Sequence, residues 1–221
     1  MVHGTTAAAM MMSTTPLQEQ GTTASEPGRV AAVVLAAGGS SRFGAPKQML
    51  LWGAGTVLSH VVDTALASSA RPVVVVLGNQ AAQCRAALGE RQVTVVVNQE
   101  WARGQSGSLQ AGLAALPGNV DAALFLLADQ PGITVATMEA LITRYRATRA
   151  PVVWPEVAGR RGNPVLFDRQ LFPELMHLGG DVGGRAILEA HAAQAERVTV
   201  TDQAILSDID TPGDYHRAIR S

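Results

Sequence analysis

A glycine-rich loop with two cations is the stretch of this sequence best suited to chemistry. Residues 38–47 contain three glycines, Arg42 and Lys47, and no carboxylate. Glycines let backbone N–H groups approach a ligand closely, and the two cations match a polyanion. The loop follows an apolar run, residues 30–35, of the kind that forms a buried strand. A strand that leads into such a loop is how α/β proteins hold nucleotide phosphates, so we expect a nucleotide site here.

Two common phosphate-binding patterns do not fit this loop. A Walker-type loop ends in Gly-Lys-Ser or Gly-Lys-Thr, whereas Gly44 is separated from Lys47 by Ala-Pro. A dinucleotide fingerprint has G-x-G-x-x-G at the start of a helix, and the loop lacks that spacing. The next strand ends in Gly78 and Asn79 rather than in an acid that could hold a ribose.

Two aspartates are candidate ligands for a metal ion. Asp129 directly follows a continuous apolar run, residues 122–128, and a carboxylate in that position is costly to leave unpaired. Near a triphosphate its natural partner is Mg²⁺, which prefers one or two carboxylates together with phosphate oxygens and water. Residues 211–214 have the cap, proline and acid that are typical of the first turn of a helix. Asp210 precedes the cap and has no role in such a helix start, so we expect it to be the second metal ligand. A plain turn before a helix is the alternative role for Asp129.

The elements that position these groups alternate between strands and helices. This alternation predicts a mostly parallel, doubly wound, three-layer α/β sheet, in which ligands bind at the carboxyl ends of the strands. After residue 151 we expect a small β excursion, residues 152–154 and 164–167, that covers the open end of the sheet. The remaining segments are predicted strands at 72–77, 93–97, 122–128 and 197–200, and helices at 56–69, 81–88, 105–116, 134–149, 169–177 and 184–193, with a last helix from 212.

The composition narrows the class of protein. The chain has 221 residues, 47% of them hydrophobic, and a net charge of −1, so neither nucleic acid nor a membrane is the expected partner. Its one cysteine excludes an intrachain disulfide, and no targeting signal is evident, which favours the cytoplasm. Residues 1–28 are expected to form a disordered tail, or to lie upstream of the true start, and residues 29–221 to form one domain.

The motifs together resemble those of one known family. The pattern L-x-A-G-x-x-x-R-x-G-x-x-K, from Leu35 to Lys47, resembles the nucleoside-triphosphate-binding loop of the MobA-like nucleotidyltransferases. Asp129-Gln130-Pro131 is similar to the family's Asp-x-Pro magnesium motif, and the segment beginning at Asp210 is similar to its C-terminal motif. A third segment, from Asn98 to Leu109, resembles the part that closes over the base and ribose. The resemblance covers residues 30–217.

The resemblance implies roles for individual residues. It implies catalysis by Arg42, Lys47 and Asp129, with Asp129 and Asp210 binding Mg²⁺ against the α-phosphate. It implies nucleotide binding by Leu35, Ala36, Ala37, Gly38, Gly39, Ser40, Ser41, Arg42, Lys47, Asn98, Gly104, Ser108 and Asp129.

Two further stretches, residues 162–167 and 180–185, resemble the molybdenum cofactor cytidylyltransferases within this family. That resemblance implies transfer of CMP from CTP to molybdopterin, with release of pyrophosphate and transient docking to a molybdenum enzyme. Ala37, where guanylyl-transferring relatives usually carry glycine, also favours cytidine. The alternatives are a sugar-phosphate or other small-phosphate nucleotidyltransferase, a MobA-like reductase of a small heterocycle, and a nucleotide-binding, chaperone-like partner of a molybdenum enzyme. The residues implied to bind the acceptor are Asn163, Pro164, Asp181, Gly183, Gly184 and Arg185.

Overall fold

The computed structural model describes most of the chain. The described residues are Met1, 28–39, Phe43, 46–180 and 184–220. Residues 2–27, expected to form a disordered tail, lie outside this part, so the division into a tail and a domain stays a prediction. None of the helices in the described ranges has the length and apolarity needed to cross a lipid bilayer.

Strands and helices alternate along the chain as the sequence predicts. The strands are β1 (Val30–Ala36), β2 (Leu51–Trp52), β3 (Gly55–Thr56), β4 (Val73–Leu77), β5 (Thr94–Val97), β6 (Ala122–Leu127), β7 (Val152–Val157), β8 (Arg160–Arg161), β9 (Val165–Asp168) and β10 (Glu196–Thr199). The helices are α1 (Val57–Ala67), α2 (Ala81–Leu88), α3 (Gln105–Ala114), α4 (Val135–Thr148), α5 (Phe172–Met176), α6 (Arg185–Ala190) and α7 (Pro212–Ala218).

One eight-stranded sheet forms the centre of the fold. Its order is β10-β7-β9-β6-β1-β4-β5, with β8 paired to β7, while β2 and β3 form a separate hairpin. β1 lies parallel to both β4 and β6, and β4 lies parallel to β5. The predicted fold class, a mostly parallel doubly wound sheet, is therefore confirmed.

The β excursion lies in a different place from the one we expected. Rather than covering the open end of the sheet, β9 pairs antiparallel with β6, and β7 pairs antiparallel with β9. The sheet therefore continues through these strands to β10, which lies parallel to β7. A short apolar strand does not specify its partner through its own sequence, which is why this placement was wrong.

Side-chain caps explain where two of the helices begin. At the start of α1, Ser59 N donates to Thr56 Oγ1 at 3.1 Å while Thr56 N donates to Ser59 Oγ at 2.8 Å. At the start of α4, Thr137 N donates to Thr134 Oγ1 at 3.2 Å, and Thr134 is the residue at which the sequence predicts this helix to begin. Such caps each contribute about 1 kcal/mol by satisfying N–H groups that have no partner within the helix.

Each face of the sheet packs against its own layer of helices. On one face, α1, α2 and α4 bury residues such as Leu58, Cys84 and Leu141 against the strands. On the other face, α3, α5 and α6 bury Leu109 and Leu175, among others. Burial of each large aliphatic side chain contributes about 1.5–3 kcal/mol, so both layers hold the strand ends in place. The result is the predicted three-layer arrangement.

Candidate active site

Three of the predicted site segments leave the sheet at its carboxyl edge. Ala128 N donates to Leu35 O at 3.1 Å, which joins the segment after β6 to the end of β1. Asn98 N donates to Leu77 O at 2.8 Å, which holds the residue after β5 beside the end of β4. The glycine-rich loop, Asn98 and the predicted ligand Asp129 therefore start from neighbouring points on one edge, as expected for a doubly wound sheet.

A buried glutamine fixes the start of the glycine-rich loop. Gln48 is 6% exposed, and its Nε2 donates to Gly38 O at 2.9 Å and to Ala36 O at 3.3 Å. These bonds satisfy the carbonyl groups of the last residue of β1 and of Gly38, and so hold the backbone where the loop begins. Because Gln48 adjoins Lys47, the same short turn also positions that lysine.

An indole ring packs against the glycine-rich loop, and glycines make the contact possible. A Cβ atom on Gly39 would lie 2.7 Å from Trp101 Cζ3, and one on Gly78 would lie 2.6 Å from Trp101 Cβ. Distances this short do not occur for real side chains, so both positions need glycine in this arrangement. Trp101 thus joins the loop after β1 to the end of β4 and lines the same cavity as the loop.

Lys47 joins the two predicted metal ligands. Its Nζ lies 2.9 Å from Asp129 Oδ2 and 2.9 Å from Asp210 Oδ1, although these aspartates are 81 positions apart in the sequence. Burial by itself lowers the pKa of Lys47, but the two carboxylates outweigh burial, and the net pKa is raised above its ordinary value. Lys47 is also the only lysine of the chain. The structure therefore brings Asp129, Asp210 and Lys47 together.

This arrangement fits a divalent cation. The two carboxylate oxygens already bracket a positive charge, the ammonium of Lys47, which occupies the position between them. Mg²⁺ commonly uses one or two carboxylates and takes its other ligands from phosphates and water. Within the described ranges, no group of three or more His, Cys, Asp or Glu side chains could hold a metal by itself. Asp129 and Asp210 would thus share the cation with the phosphates of a nucleotide.

The predicted nucleotide-binding residues surround one cavity of about 530 Å³. Two predicted members do not line this cavity. Ala36 is buried, and Asn98 Nδ2 donates to Ser108 Oγ at 3.0 Å and so holds Ser108 in place. Three others, Ser40, Ser41 and Arg42, lie outside the described residues, and their roles stay predictions. The predicted residues that line the cavity are Leu35, Ala37, Gly38, Gly39, Lys47, Gly104, Ser108, Asp129 and Asp210.

A second cavity, of about 420 Å³, adjoins the first and is lined by three of the six predicted acceptor-binding residues. Asn163, Gly184 and Arg185 line this second cavity. Pro164 is buried at the start of β9 and is not part of the lining, whereas Asp181 and Gly183 lie outside the described residues. The two cavities share Leu35, Gln105 and Leu127, so they meet at a common wall.

Helix α3 supports both cavities. On the nucleotide side it carries Ser108, and its first residue, Gln105, lies at the common wall. On the acceptor side, Ser106 Oγ donates to Gly180 O at 2.7 Å, and Gln110 Nε2 donates to Leu178 O at 2.7 Å. These bonds hold the segment that leads toward α6, and so the position of α3 affects both cavities.

Sequence reasoning missed several polar residues of the site. No sequence motif contains Gln48, Gln105 or Asp208. Of the three, only Asp208 could have been recognised as a site residue, because it lies two positions before the predicted metal ligand Asp210. Burial raises the pKa of Asp208 first of all, and the charges of Asp129 and Asp210 raise it further. Gln130, which stands within the Asp-x-Pro segment, donates from Nε2 to Asp208 Oδ1.

A glycine-rich loop at the carboxyl edge of a mostly parallel sheet, next to a lysine ammonium that contacts two carboxylates, is typical of a nucleotide-binding α/β protein. Residues 32–196 match the MobA-like NTP transferase domain, and the chain belongs to that family. It is therefore a MobA-like nucleotidyltransferase, an enzyme class that the predicted motifs also indicate.

Individual relatives are similar over most of the chain. Nicotine blue oxidoreductase from Paenarthrobacter nicotinovorans is 31% identical over 181 residues, which make up 79% of this chain and 88% of the relative. The crystal structure of Rv0371c from Mycobacterium tuberculosis H37Rv is similar with a TM-score of 0.80 and 31% identity. The alignment covers 89% of this chain and 100% of the Rv0371c chain. The structure of Rv0371c in complex with manganese has a TM-score of 0.76 and 30% identity, and the alignment covers 87% of this chain and 99% of that Rv0371c chain.

Proposed function

We propose that this enzyme transfers CMP from CTP to the terminal phosphate of molybdopterin, uses Mg²⁺, and releases pyrophosphate. The observation that carries the proposal is the pair of adjoining cavities, with the carboxylates of Asp129 and Asp210 in one of them. A transfer between two bound substrates needs two such spaces that meet at the reacting atoms. The relative with bound manganese supports a divalent cation in this fold.

The residues of the nucleotide cavity would bind and neutralise the triphosphate. Gln48 holds the carbonyl groups of Ala36 and Gly38, and so the backbone from which the glycine-rich loop starts. The N–H groups of that loop would contact phosphate oxygens. Asp129 and Asp210 would hold Mg²⁺, which would neutralise phosphate charge when bound. The Lys47 ammonium, which lies beside both carboxylates, would stabilise the negative charge that develops on the leaving pyrophosphate.

The chemical step requires no strong base from the protein. An oxygen of the acceptor phosphate attacks the α-phosphorus of CTP, a new P–O bond forms, and the bond from the α-phosphorus to the bridging oxygen of the β-phosphate breaks. The electron pair leaves with pyrophosphate. A phosphate monoester has already lost its first proton and most of its second near neutral pH, so the chain's task is positioning and charge stabilisation. Gln105, at the common wall of the two cavities, is the described polar side chain placed to hold both substrates at this point.

The chemistry of the acceptor cavity suits a planar ring that carries a phosphate. Phe125 and Phe167 meet edge to face at 5.9 Å between ring centroids, and both line the cavity. Three arginines, Arg160, Arg161 and Arg185, also line it and can attract an anionic substrate. A phosphorylated heterocycle such as molybdopterin matches an apolar, aromatic wall together with cations.

A redox enzyme acting on a small heterocycle is the second candidate function. The observation in its favour is the 31% identity to nicotine blue oxidoreductase over 88% of that relative. The same aromatic cavity would accept such a ring. The two candidates differ in their co-substrate, because a redox enzyme needs an electron carrier whereas a transferase needs a nucleoside triphosphate.

A panel of nucleotides separates the candidate functions. The purified enzyme is incubated with CTP, GTP, ATP or UTP, with molybdopterin, a sugar phosphate or no acceptor, and pyrophosphate is measured. A parallel incubation contains a reduced nicotinamide or flavin cofactor, and its oxidation is followed. We expect release with CTP that depends on molybdopterin, and its loss in Asp129→Asn but not in the surface control Arg91→Met. Release that depends on a sugar phosphate would show a different acceptor. Oxidation of a nicotinamide or flavin cofactor without pyrophosphate would identify a redox enzyme, and neither signal would indicate a binding protein.

A further inference from the structure

Helix α3 donates three side-chain hydrogen bonds to one short stretch of backbone. Gln110 Nε2 donates to Met176 O at 3.0 Å and to Leu178 O at 2.7 Å. One turn earlier on the helix, Ser106 Oγ donates to Gly180 O at 2.7 Å. We call the stretch from Met176 to Gly180 the anchored stretch. It leads from the end of α5 toward the start of α6, so all three bonds act on the connection between these two helices.

The side chain of Gln110 suits the backbone that it contacts. The last carbonyl groups of a helix have no N–H partner within that helix. Met176 is the last residue of α5, and Leu178 lies two positions further along the chain. The amide group of glutamine carries two N–H donors and no formal charge, so one side chain can serve both carbonyls. Gln110 therefore determines where the chain leaves α5.

The start of α6 is part of the acceptor cavity and packs tightly. Gly184, Arg185 and Leu188 all line this cavity. A Cβ atom on Gly184 would lie 3.1 Å from Phe167 Cζ and 3.9 Å from Leu109 Cδ1. The beginning of α6 thus lies close both to β9 and to α3. A small displacement of α6 would therefore change the wall that the acceptor meets.

The anchored stretch restrains α6 in two ways. Four positions separate Gly180 from Gly184, which keeps their Cα atoms within about 14 Å of each other. After the end of α6, His191 Nε2 lies 3.0 Å from Glu174 Oε2 of α5, so the two helices also contact each other directly. A shift of the anchored stretch would consequently move α6 and the part of the cavity wall that α6 carries.

We propose that Gln110, assisted by Ser106, is a positioning residue for the acceptor substrate. Through the anchored stretch it sets the place of α6, and so the place of Arg185 in the cavity wall. Neither Gln110 nor Ser106 belongs to the described lining of either cavity, so both act through other residues. This assignment rests on the proposed function, because it concerns the substrate that receives CMP. Since the three bonds run from α3 toward α5 and α6, their loss should affect the acceptor and spare CTP.

Gln110→Met tests the assignment, because methionine keeps the length of the side chain and removes both donors. Pyrophosphate release at saturating CTP is measured as a function of the molybdopterin concentration. Loss of two hydrogen bonds between neutral groups predicts a KM for molybdopterin that is roughly tenfold higher. The kcat and the dissociation constant of CTP should stay within about twofold of the wild-type values. Gln92→Met is the matched control, because Gln92 Nε2 donates to Glu90 O on the surface.

A double-mutant cycle with Arg185→Ala separates positioning from general loosening of the fold. If Gln110 acts through the place of Arg185, its roughly tenfold effect should shrink to about twofold or less in the Arg185→Ala background. The same factor in both backgrounds would overturn the inference. A lower kcat with an unchanged KM for molybdopterin would also overturn it, because that result indicates a smaller folded fraction rather than a displaced wall.

Hydrogen exchange gives a readout that needs no acceptor. Within α6, Leu188 N donates to Gly184 O at 3.0 Å. Gln110→Met should speed exchange of this amide several-fold and leave the amides of β1 unchanged, because only the support of α6 is lost. Unchanged exchange in α6 would overturn the inference. If Gln110→Met does not fold, Ser106→Ala, which removes one of the three bonds, takes its place in both measurements.

Failure of the positioning role can be told apart from failure of the proposed function. A wild-type enzyme that releases no pyrophosphate with molybdopterin would refute the proposed acceptor, and the exchange of the α6 amides would then decide alone whether Gln110 positions that wall. Release that depends on molybdopterin, with the same KM in the wild-type protein and in Gln110→Met, would leave the transfer of CMP intact and refute the role of Gln110.

Discussion

Replacement of Lys47 by methionine should strengthen the binding of a divalent cation while it weakens catalysis. Methionine keeps the length and apolar character of the side chain but removes the ammonium that lies 2.9 Å from both Asp129 and Asp210. In the wild-type protein an incoming cation must displace this ammonium from the two carboxylates. In the variant this ammonium no longer competes for them, so opposite effects on metal binding and on turnover are expected.

The structure sets the size of the effect. Both carboxylate oxygens lie 2.9 Å from Nζ, so they are at most about 6 Å apart. Two unit charges at that distance repel by about 3 kcal/mol at an effective dielectric constant of about 20. The side chain of Asp210 is 43% exposed, and solvent screening reduces the repulsion to about 1–2 kcal/mol. The free energy of unfolding should fall by that amount without metal, and the affinity for Mn²⁺ should rise roughly tenfold. Turnover should fall by roughly 10²–10³-fold, because the charge on the leaving group loses its partner.

Calorimetric titration of Mn²⁺ without nucleotide, together with steady-state release of pyrophosphate, measures both effects. Mn²⁺ is the probe because it is the ion in the structure of the Rv0371c complex. Arg91→Met, which removes a surface ion pair with Asp63, is the control and should change neither quantity. Unchanged or weaker Mn²⁺ binding in Lys47→Met would show that the carboxylates beside Lys47 are not the metal ligands. Near-normal turnover would remove Lys47 from the mechanism.

Four further substitutions test other parts of the site. Asp129→Asn and Asp210→Asn should each raise the metal concentration needed for pyrophosphate release, with partial rescue at high metal, and full activity in chelator would refute the two-carboxylate site. Arg185→Ala removes a cation from the acceptor cavity and should raise the required molybdopterin concentration by roughly tenfold to hundredfold. CTP binding, measured by calorimetry, should stay normal. Loss of CTP binding in this variant would place Arg185 in the nucleotide site. Gly39→Ala would place Cβ 2.7 Å from the ring of Trp101, so it should shift tryptophan fluorescence and weaken CTP binding. No change in either quantity would refute the packing of the indole on the loop.

The sequence was sufficient to predict which segments meet, because strand ends obey a general rule. Buried strands are recognisable as apolar runs, and parallel strands bring their carboxyl ends to one edge, so Gly38, Asn98 and Asp129 could be placed together in advance. The pairing of Asp129 with Asp210 followed from the chemistry expected of a metal site. Both carboxylates contact Lys47, which puts them within reach of one cation.

The contacts that complete the site could not be predicted, since they depend on packing between distant elements. Gln48 is an ordinary polar residue in sequence, and only the fold shows that its amide binds the carbonyls of the glycine-rich loop. Lys47 was assigned to phosphates alone, and its contacts with the carboxylates were not foreseen. The pairing of β9 with β6 is also a contact between distant segments. The paired residues lie about 40 positions apart in the sequence, and no hairpin turn sets their register.

The central claim is that the enzyme joins CMP to a phosphorylated pterin, and a single-turnover reaction tests it most directly. Excess enzyme is mixed with CTP labelled at the α-phosphorus, a divalent cation and molybdopterin, and the products are separated and identified by mass. The account predicts that the label moves to the pterin in a new diphosphate linkage, with one pyrophosphate for each label transferred and no transfer in Asp129→Asn. Label that remains in CTP while the heterocycle changes its oxidation state would contradict the account.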